Sequence, residues 1–150
     1  HGIGLAGQRK RPGAWLADLR GRQVQVDERG IFLGGAIVAG YHAMLGGLAG
    51  NTAALSVDAG EWTAQPTNTR DALATGAIDA MVGAIEHGQA RLAQRLRERG
   101  VTQMPRIILT GGSAYRLLAH LPAGNAVIDS LVLEGVYLLA ESVTEFPLRA

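Results

Sequence analysis

The chain has 150 residues, 47% of them hydrophobic, so it can bury one core and is most simply one domain or part of one. Its formal charge of +1 gives no reason to expect a nucleic-acid partner, and the absence of cysteine excludes disulfides and thiolate chemistry. No apolar run approaches the roughly 20 residues that span a bilayer, and the basic residues 9–11 follow the apolar start, which reverses the order of a secretory signal. We therefore expect a cytoplasmic protein without a membrane or nucleic-acid partner.

The N-terminal part of the chain has little periodicity. Residues 1–23 mix Gly, Arg and Pro with isolated apolar residues and predict an irregular segment, followed by a single lobe over residues 24–150. Val24 and Val26 alternate with polar neighbours, a Glu-Arg-Gly turn follows, and residues 31–38 resume as a second strand. This pattern predicts an antiparallel hairpin, after which a short helix is expected from residue 41 to about 48.

A long helix is the clearest predicted element. Asn68 or Thr69 can cap it, Asp71 lies in its first turn, and Gly100 is a typical left-handed stop. Its apolar stripe consists of Leu73, Ala77, Met81, Ile85, Leu92 and Leu96.

The next strand runs into a glycine pair. Residues 107–109 are apolar, Thr110-Gly111-Gly112 follow, and a helix is expected from Ser113 to about residue 120. Glycines without a Cβ let backbone approach a nucleotide at a helix start, although a tight turn without a ligand fits the same residues. A short strand at 127–128 and a helix over 131–141 complete the order β-β-α-α-β-α-β-α, which is typical of a mixed α/β sheet.

Five short motifs in one order resemble the type III pantothenate kinases, the family that includes Bvg accessory factors. The resemblance covers roughly residues 24–142. The motifs are Phe32-Leu33-Gly34-Gly35-Ala36-Ile37-Val38-Ala39-Gly40, Asn51-Thr52-Ala53-Ala54-Leu55, Asn68-Thr69 with Ala72 and Gly76, Ile108-Leu109-Thr110-Gly111-Gly112, and Leu131-Val132-Leu133-Glu134-Gly135.

The resemblance implies a mixed-sheet, ribonuclease H-like lobe of the fold shared by actin, Hsp70 and the acetate and sugar kinases. It implies ATP-dependent phosphorylation of pantothenate, the first committed step toward coenzyme A, by a homodimer that needs Mg²⁺ and a monovalent cation such as K⁺. Adenosine contacts would fall on Thr110, Gly111 and Gly112, and a hydrogen bond to pantothenate on Thr69. Gly34, Gly35 and Gly40 would shape the approach of the strand to the phosphates or the subunit interface. Thr69 could instead be a simple N-cap, and the glycines could give backbone clearance only.

The chain also departs from the family pattern. Ala39 stands where the family has proline, and neither the N-terminal Asp-x-Gly-Thr phosphate loop nor the Gly-x-Asp-Arg segment with the general base occurs. A second such loop should supply a cation ligand before the hairpin. An ungapped alignment puts Leu16 at the position of this cation ligand, whereas an alignment with a two-residue deletion puts Asp18 at it. We therefore assign no catalytic residue and no metal ligand, and expect the C-terminal half of a kinase, inactive or weak alone.

Other chemistry has little support. The four histidines lack the spacing of metal ligands, and no serine stands in a Gly-x-Ser-x-Gly setting. Trp15 and Trp62 could stack on a ligand, but packing is more typical of such residues. The alternative function is a noncatalytic actin-like module for dimerisation or regulation, suggested by the accessory-factor name within the family.

Overall fold

A five-stranded mixed sheet organises the chain. The computed structural model describes residues 13–18, 20–51, 60–111, 114–131, 133, 134, 136 and 137. The strands lie in the order β3-β2-β1-β4-β5. Both hairpin contacts, β1 with β2 and β2 with β3, are antiparallel, whereas β4 runs parallel to β1 and β5. The strands are β1 (Ala14–Asp18), β2 (Arg22–Val26), β3 (Phe32–Ile37), β4 (Arg106–Thr110) and β5 (Ala126–Val127).

The first strand corrects the sequence-based prediction. Residues 14–18, within the segment 1–23 that was expected to be irregular, form the central strand β1. Trp15 and Ala17 of this strand are buried in the core. The prediction was wrong here because Ala-Trp-Leu-Ala-Asp has no β-branched residue, so β1 depends on pairing with β2 on one side and β4 on the other. The predicted hairpin, by contrast, is confirmed as β2 and β3.

Three helices follow the predicted pattern. They are α1 (Tyr41–Asn51), α2 (Thr69–Arg97) and α3 (Ala114–Leu118). Asn68 is the N-cap of α2, since its side-chain oxygen accepts a 3.0 Å hydrogen bond from the backbone N–H of Asp71. The chain turns away after α2 at Gly100, whose φ of 79° agrees with the predicted stop. Described residues between 131 and 137 are helical, as expected for a final helix.

The core lies between α2 and the sheet. Side chains of α2 at Met81, Ile85 and Leu92 are almost completely buried, as are Trp15 of β1 and Ile107 of β4. Burial of apolar side chains of this size stabilises the fold by roughly 1.5–3 kcal/mol each. Among the helices that the structure describes, none is long and apolar enough to cross a membrane.

A buried carboxylate joins the hairpin to the end of α2. Asp27 is 3% exposed, and one of its oxygens accepts hydrogen bonds from the backbone N–H groups of Arg29 and Ile31, each 2.9 Å long. Its other oxygen lies 3.4 Å from the guanidinium of Arg99 and 3.8 Å from that of Arg29. The N–H of Ile31 lowers the pKa of Asp27 most strongly, burial opposes this effect, and Arg29 and Arg99 add to the lowering.

Candidate functional site

Two parallel strands end side by side at one edge of the sheet. Asp18, the last residue of β1, is in register with Thr110, the last residue of β4. Gly111 follows with a φ of 94°, and its carbonyl accepts a 2.9 Å hydrogen bond from the N–H of Ala114 at the start of α3. Clefts at the carboxyl ends of strands are common ligand sites in α/β folds. Gly112, the third predicted adenosine contact, lies outside the described residues.

Leu16 and Asp18, which the two alignments put at the predicted cation-ligand position, have different places on β1. Leu16 pairs with Ile108 inside the sheet, two residues before the strand ends, whereas Asp18 stands at the end itself. The carboxylate of Asp18 accepts hydrogen bonds from the backbone N–H and Nε of Arg22, at 3.0 and 2.7 Å, and forms an ion pair with the same side chain. Asp18 therefore lies at the strand end beside Thr110, but its charge is already balanced by Arg22.

The predicted phosphate glycines lie away from this edge. Gly35 of β3 pairs with Val24, and three strand spacings, about 14 Å, separate β3 from β4. A Cβ at Gly35 would collide with the backbone carbonyl of Gln23 on the neighbouring strand, so close strand packing alone requires glycine there. Gly34 has a φ of 130°, which side chains rarely adopt, but open space surrounds it. The structure therefore brings neither glycine to Thr110 and Gly111.

Thr69, the residue predicted to bind pantothenate, lines a groove. Thr69 is the first residue of α2 and is exposed, and its neighbour Asn68 performs the capping. With α1, the start of α2 encloses a groove of about 660 Å³. The groove is lined by Ala43, Met44, Gly47, Leu48, Asn51, Thr69, Ala72, Leu73, Gly76 and Ala77. The side chain of Thr69 is therefore left for a role other than the N-cap.

The sequence analysis did not predict the hydrogen bonds that hold residues 61–63, in the loop before α2. Three side chains spaced four residues apart on α2, Asp71, Thr75 and Asp79, bind the loop. The Oδ1 atom of Asp71 accepts from the N–H of Glu61, the hydroxyl of Thr75 accepts from the N–H of Thr63, and Asp79 accepts from the indole Nε1 of Trp62. The spacing i, i+4, i+8 on one helix face was the available signal.

The loop sets Trp62 against His120 at the end of α3. Their ring centroids are 4.3 Å apart with an interplanar angle of 46°. Trp62 stays 39% exposed, so it combines packing with an accessible ring face. Trp15, the other tryptophan, is fully buried in the core, as the packing interpretation predicted.

Proteins of a known family are similar in sequence to the larger part of this chain. The type III pantothenate kinase family model matches residues 24–91. A type III pantothenate kinase from Chromobacterium violaceum is 43% identical over 113 residues, which are 75% of this chain and 46% of the relative. The corresponding protein from Nitrosospira multiformis is 37% identical over 139 residues, or 91% of this chain and 51% of the relative. The chain thus spans about half the length of the curated relatives it matches.

The fold has a counterpart among solved structures. A Baf family protein from Campylobacter jejuni matches 92% of this chain and 61% of its own chain with a TM-score of 0.51 and 15% sequence identity. Identity at this level supports the fold alone, and the shared fold agrees with the predicted mixed-sheet actin-like lobe. The sequence relatives show that the chain belongs to the type III pantothenate kinase family, as a part of such a protein.

Proposed function

We propose that this chain is part of an enzyme that transfers a phosphoryl group from ATP to pantothenate and forms 4′-phosphopantothenate for coenzyme A biosynthesis. The observation that supports it best is the 43% identity to a curated type III pantothenate kinase over three quarters of the chain. The proposal includes a cytoplasmic homodimer that uses Mg²⁺ and K⁺. It also includes weak or no activity for these 150 residues alone, because the sequence offers no general base and no first phosphate loop.

The strand-end geometry fits a nucleotide contact. A Cβ at Gly111 would meet nothing within 4 Å, so the backbone between β4 and α3 is open to an approaching ring or ribose. Thr110 is half-buried beside it and offers a hydroxyl that can donate and accept. These two residues would hold the adenosine, whereas Gly34 and Gly35, on a distant strand, would act only through the shape of the hairpin.

The same edge does not fit a resident cation in this arrangement. Asp18 is the carboxylate in register with Thr110, and Arg22 already engages both of its oxygens. A cation at Asp18 would have to displace that guanidinium or tolerate its repulsion. We therefore propose no ligand for Mg²⁺ or K⁺ among the described residues.

Pantothenate would be held in part by Thr69. Thr69 lines the α1–α2 groove and is not the helix cap, so a hydrogen bond from its hydroxyl to a polar substrate is compatible with the fold. The groove beside it has a mostly apolar lining and could accept an apolar part of a ligand or the surface of a second subunit.

The test is a coupled assay of ADP release with ATP, pantothenate, Mg²⁺ and K⁺. It is run on this chain alone and after addition of the N-terminal half of the Chromobacterium violaceum relative. We expect pantothenate-dependent ADP release only in the mixture. No release from folded and associated pieces would contradict the kinase proposal.

A noncatalytic interaction module is the second candidate, and exposed apolar side chains favour it. Ile37 and Phe32 of β3 are 85% and 66% exposed, and Leu133 and Tyr137 of the final helix are 71% and 64% exposed. Exposed apolar residues mark a binding surface where they form a contiguous patch. Dimers in analytical ultracentrifugation, together with no detectable nucleotide binding, would support this candidate over the kinase.

A further inference from the structure

A cavity of about 760 Å³ has a lining that differs from the predicted kinase residues. It is enclosed by the loop at 60–62, the first turns of α1 and α2, and the last turn of α3 and the residues after it. Its volume is in the range of sites that bind small molecules. Thr69, Thr110 and Gly111 do not line it. The proposed kinase function therefore leaves this cavity without a role.

Arg116 gives the cavity a group that can bind an anion. Its guanidinium carries a permanent positive charge, and Arg70 and Glu61 also line the cavity. The guanidinium of Arg116 lies 5.9 Å from the ring centroid of Tyr41, within the range of a cation–π contact on the cavity wall. An arginine in this position can form charge-assisted hydrogen bonds with a carboxylate.

The remaining walls favour a flat apolar group. Trp62 and His120 form an aromatic wall, and the bond from Trp62 Nε1 to Asp79, 2.8 Å long, fixes the indole in place. On the helix side, the buried apolar residues Leu45, Ala74 and Ile78 line the cavity. A preformed aromatic wall loses little conformational entropy when a ring stacks on it.

We propose that this cavity binds a small organic anion that carries a flat apolar part. The anionic group would lie near Arg116 and the ring against Trp62. The proposal is independent of the kinase function, since it uses none of the residues assigned to ATP or pantothenate.

The probe for this site is 2-naphthoate, with the neutral isostere 2-naphthamide for comparison. Each is titrated into the 150-residue chain while tryptophan fluorescence is recorded. We expect saturable quenching, with a dissociation constant for the anion at least about tenfold lower than for the amide, as a hydrogen bond to a charged group predicts. Trp62→Phe should remove the quenching, because the remaining Trp15 is fully buried. Equal affinities, or no saturable quenching, would overturn the proposal.

Three arginine variants locate the anion site. Arg116→Gln should reduce the preference to about twofold or less, Arg116→Lys should keep most of it, and Arg91→Gln, at an exposed position on α2 outside the cavity, should keep all of it. Far-UV circular dichroism establishes that each variant is folded. Salt is a second test on the unsubstituted chain. Its preference for 2-naphthoate over 2-naphthamide should decrease when NaCl is raised from about 0.05 to about 1 M. A preference that survives Arg116→Gln, or that salt leaves unchanged, would refute the assignment.

Discussion

The indole of Trp15 packs directly against the backbone of Gly88, at the point where α2 crosses the central strand. Trp15 is fully buried, and a Cβ at position 88 would overlap its six-membered ring. Glycine inside a helix costs roughly 0.5–1 kcal/mol relative to alanine. The close approach of helix and strand explains why α2 contains glycine here, since any side chain would force the two elements apart.

Gly88→Ala should therefore destabilise the fold. We expect a loss of about 1–3 kcal/mol in the free energy of unfolding, as for other overpacked cores. The matched control is Gly83→Ala, an exposed position on the same helix where a Cβ would meet nothing within 4 Å. That variant should gain roughly 0.5–1 kcal/mol from helix propensity. Urea unfolding followed by circular dichroism measures both, and a gain in both variants would contradict the packing described here.

Local patterns predicted the elements whose signals lie within the element itself. The hairpin followed from alternation around Val24 and Val26, and α2 from its stripe and the stop at Gly100. The central strand β1 was missed because two alanines and an aspartate carry little strand propensity. Its conformation is decided by β2 and β4, and β4 is distant in sequence, so local patterns contain little of the information.

The candidate site was predictable only in part for a similar reason. Thr110 ends β4, and Gly111 lies between this strand and α3, as the sequence indicated. The register that sets Asp18 beside Thr110 depends on pairing across 92 residues of chain, which periodicity does not reveal. The Trp62–His120 contact likewise depends on a loop position fixed by Asp71, Thr75 and Asp79.

Asp27 should make the stability depend on pH under acid conditions. Its pKa is lower in the folded chain than its ordinary value of 3.8, so its contribution is complete above that value and is lost as the pH falls through the lower folded pKa. Asp27→Asn should lower the stability at neutral pH and flatten its decline below about pH 4. Arg99→Gln should keep most of the decline, since the N–H of Ile31 is the largest cause of the shift. Urea unfolding at several pH values tests this, and an unchanged acid slope in Asp27→Asn would contradict it.

Asn68 and Thr69 should separate stability from substrate binding. Asn68→Ala removes the N-cap of α2 and should cost about 0.5–2 kcal/mol of stability. Thr69→Ala leaves that cap intact, so its stability should change by less than about 0.5 kcal/mol. The assay is the ADP-release assay of this chain reconstituted with the N-terminal half of the relative. In it, Thr69→Ala should raise the KM for pantothenate. Asn68→Ala should leave this KM nearly unchanged at a temperature where the variant is folded. A large loss of stability in Thr69→Ala would assign its hydroxyl a structural role instead.

Gly111 and Gly124 form a matched pair for testing the nucleotide contact. Their φ angles are 94° and 95°, and a Cβ at either position would meet nothing within 4 Å. Substitution by alanine should therefore cause a similar backbone strain at each position, about 1–2 kcal/mol. Only Gly111 follows the strand end beside Thr110, so only Gly111→Ala should weaken binding of a fluorescent ATP analogue to the reconstituted protein. Because the strain is matched, a selective loss of binding reports on the ligand contact, and equal losses in both variants would show that backbone distortion alone lowers affinity.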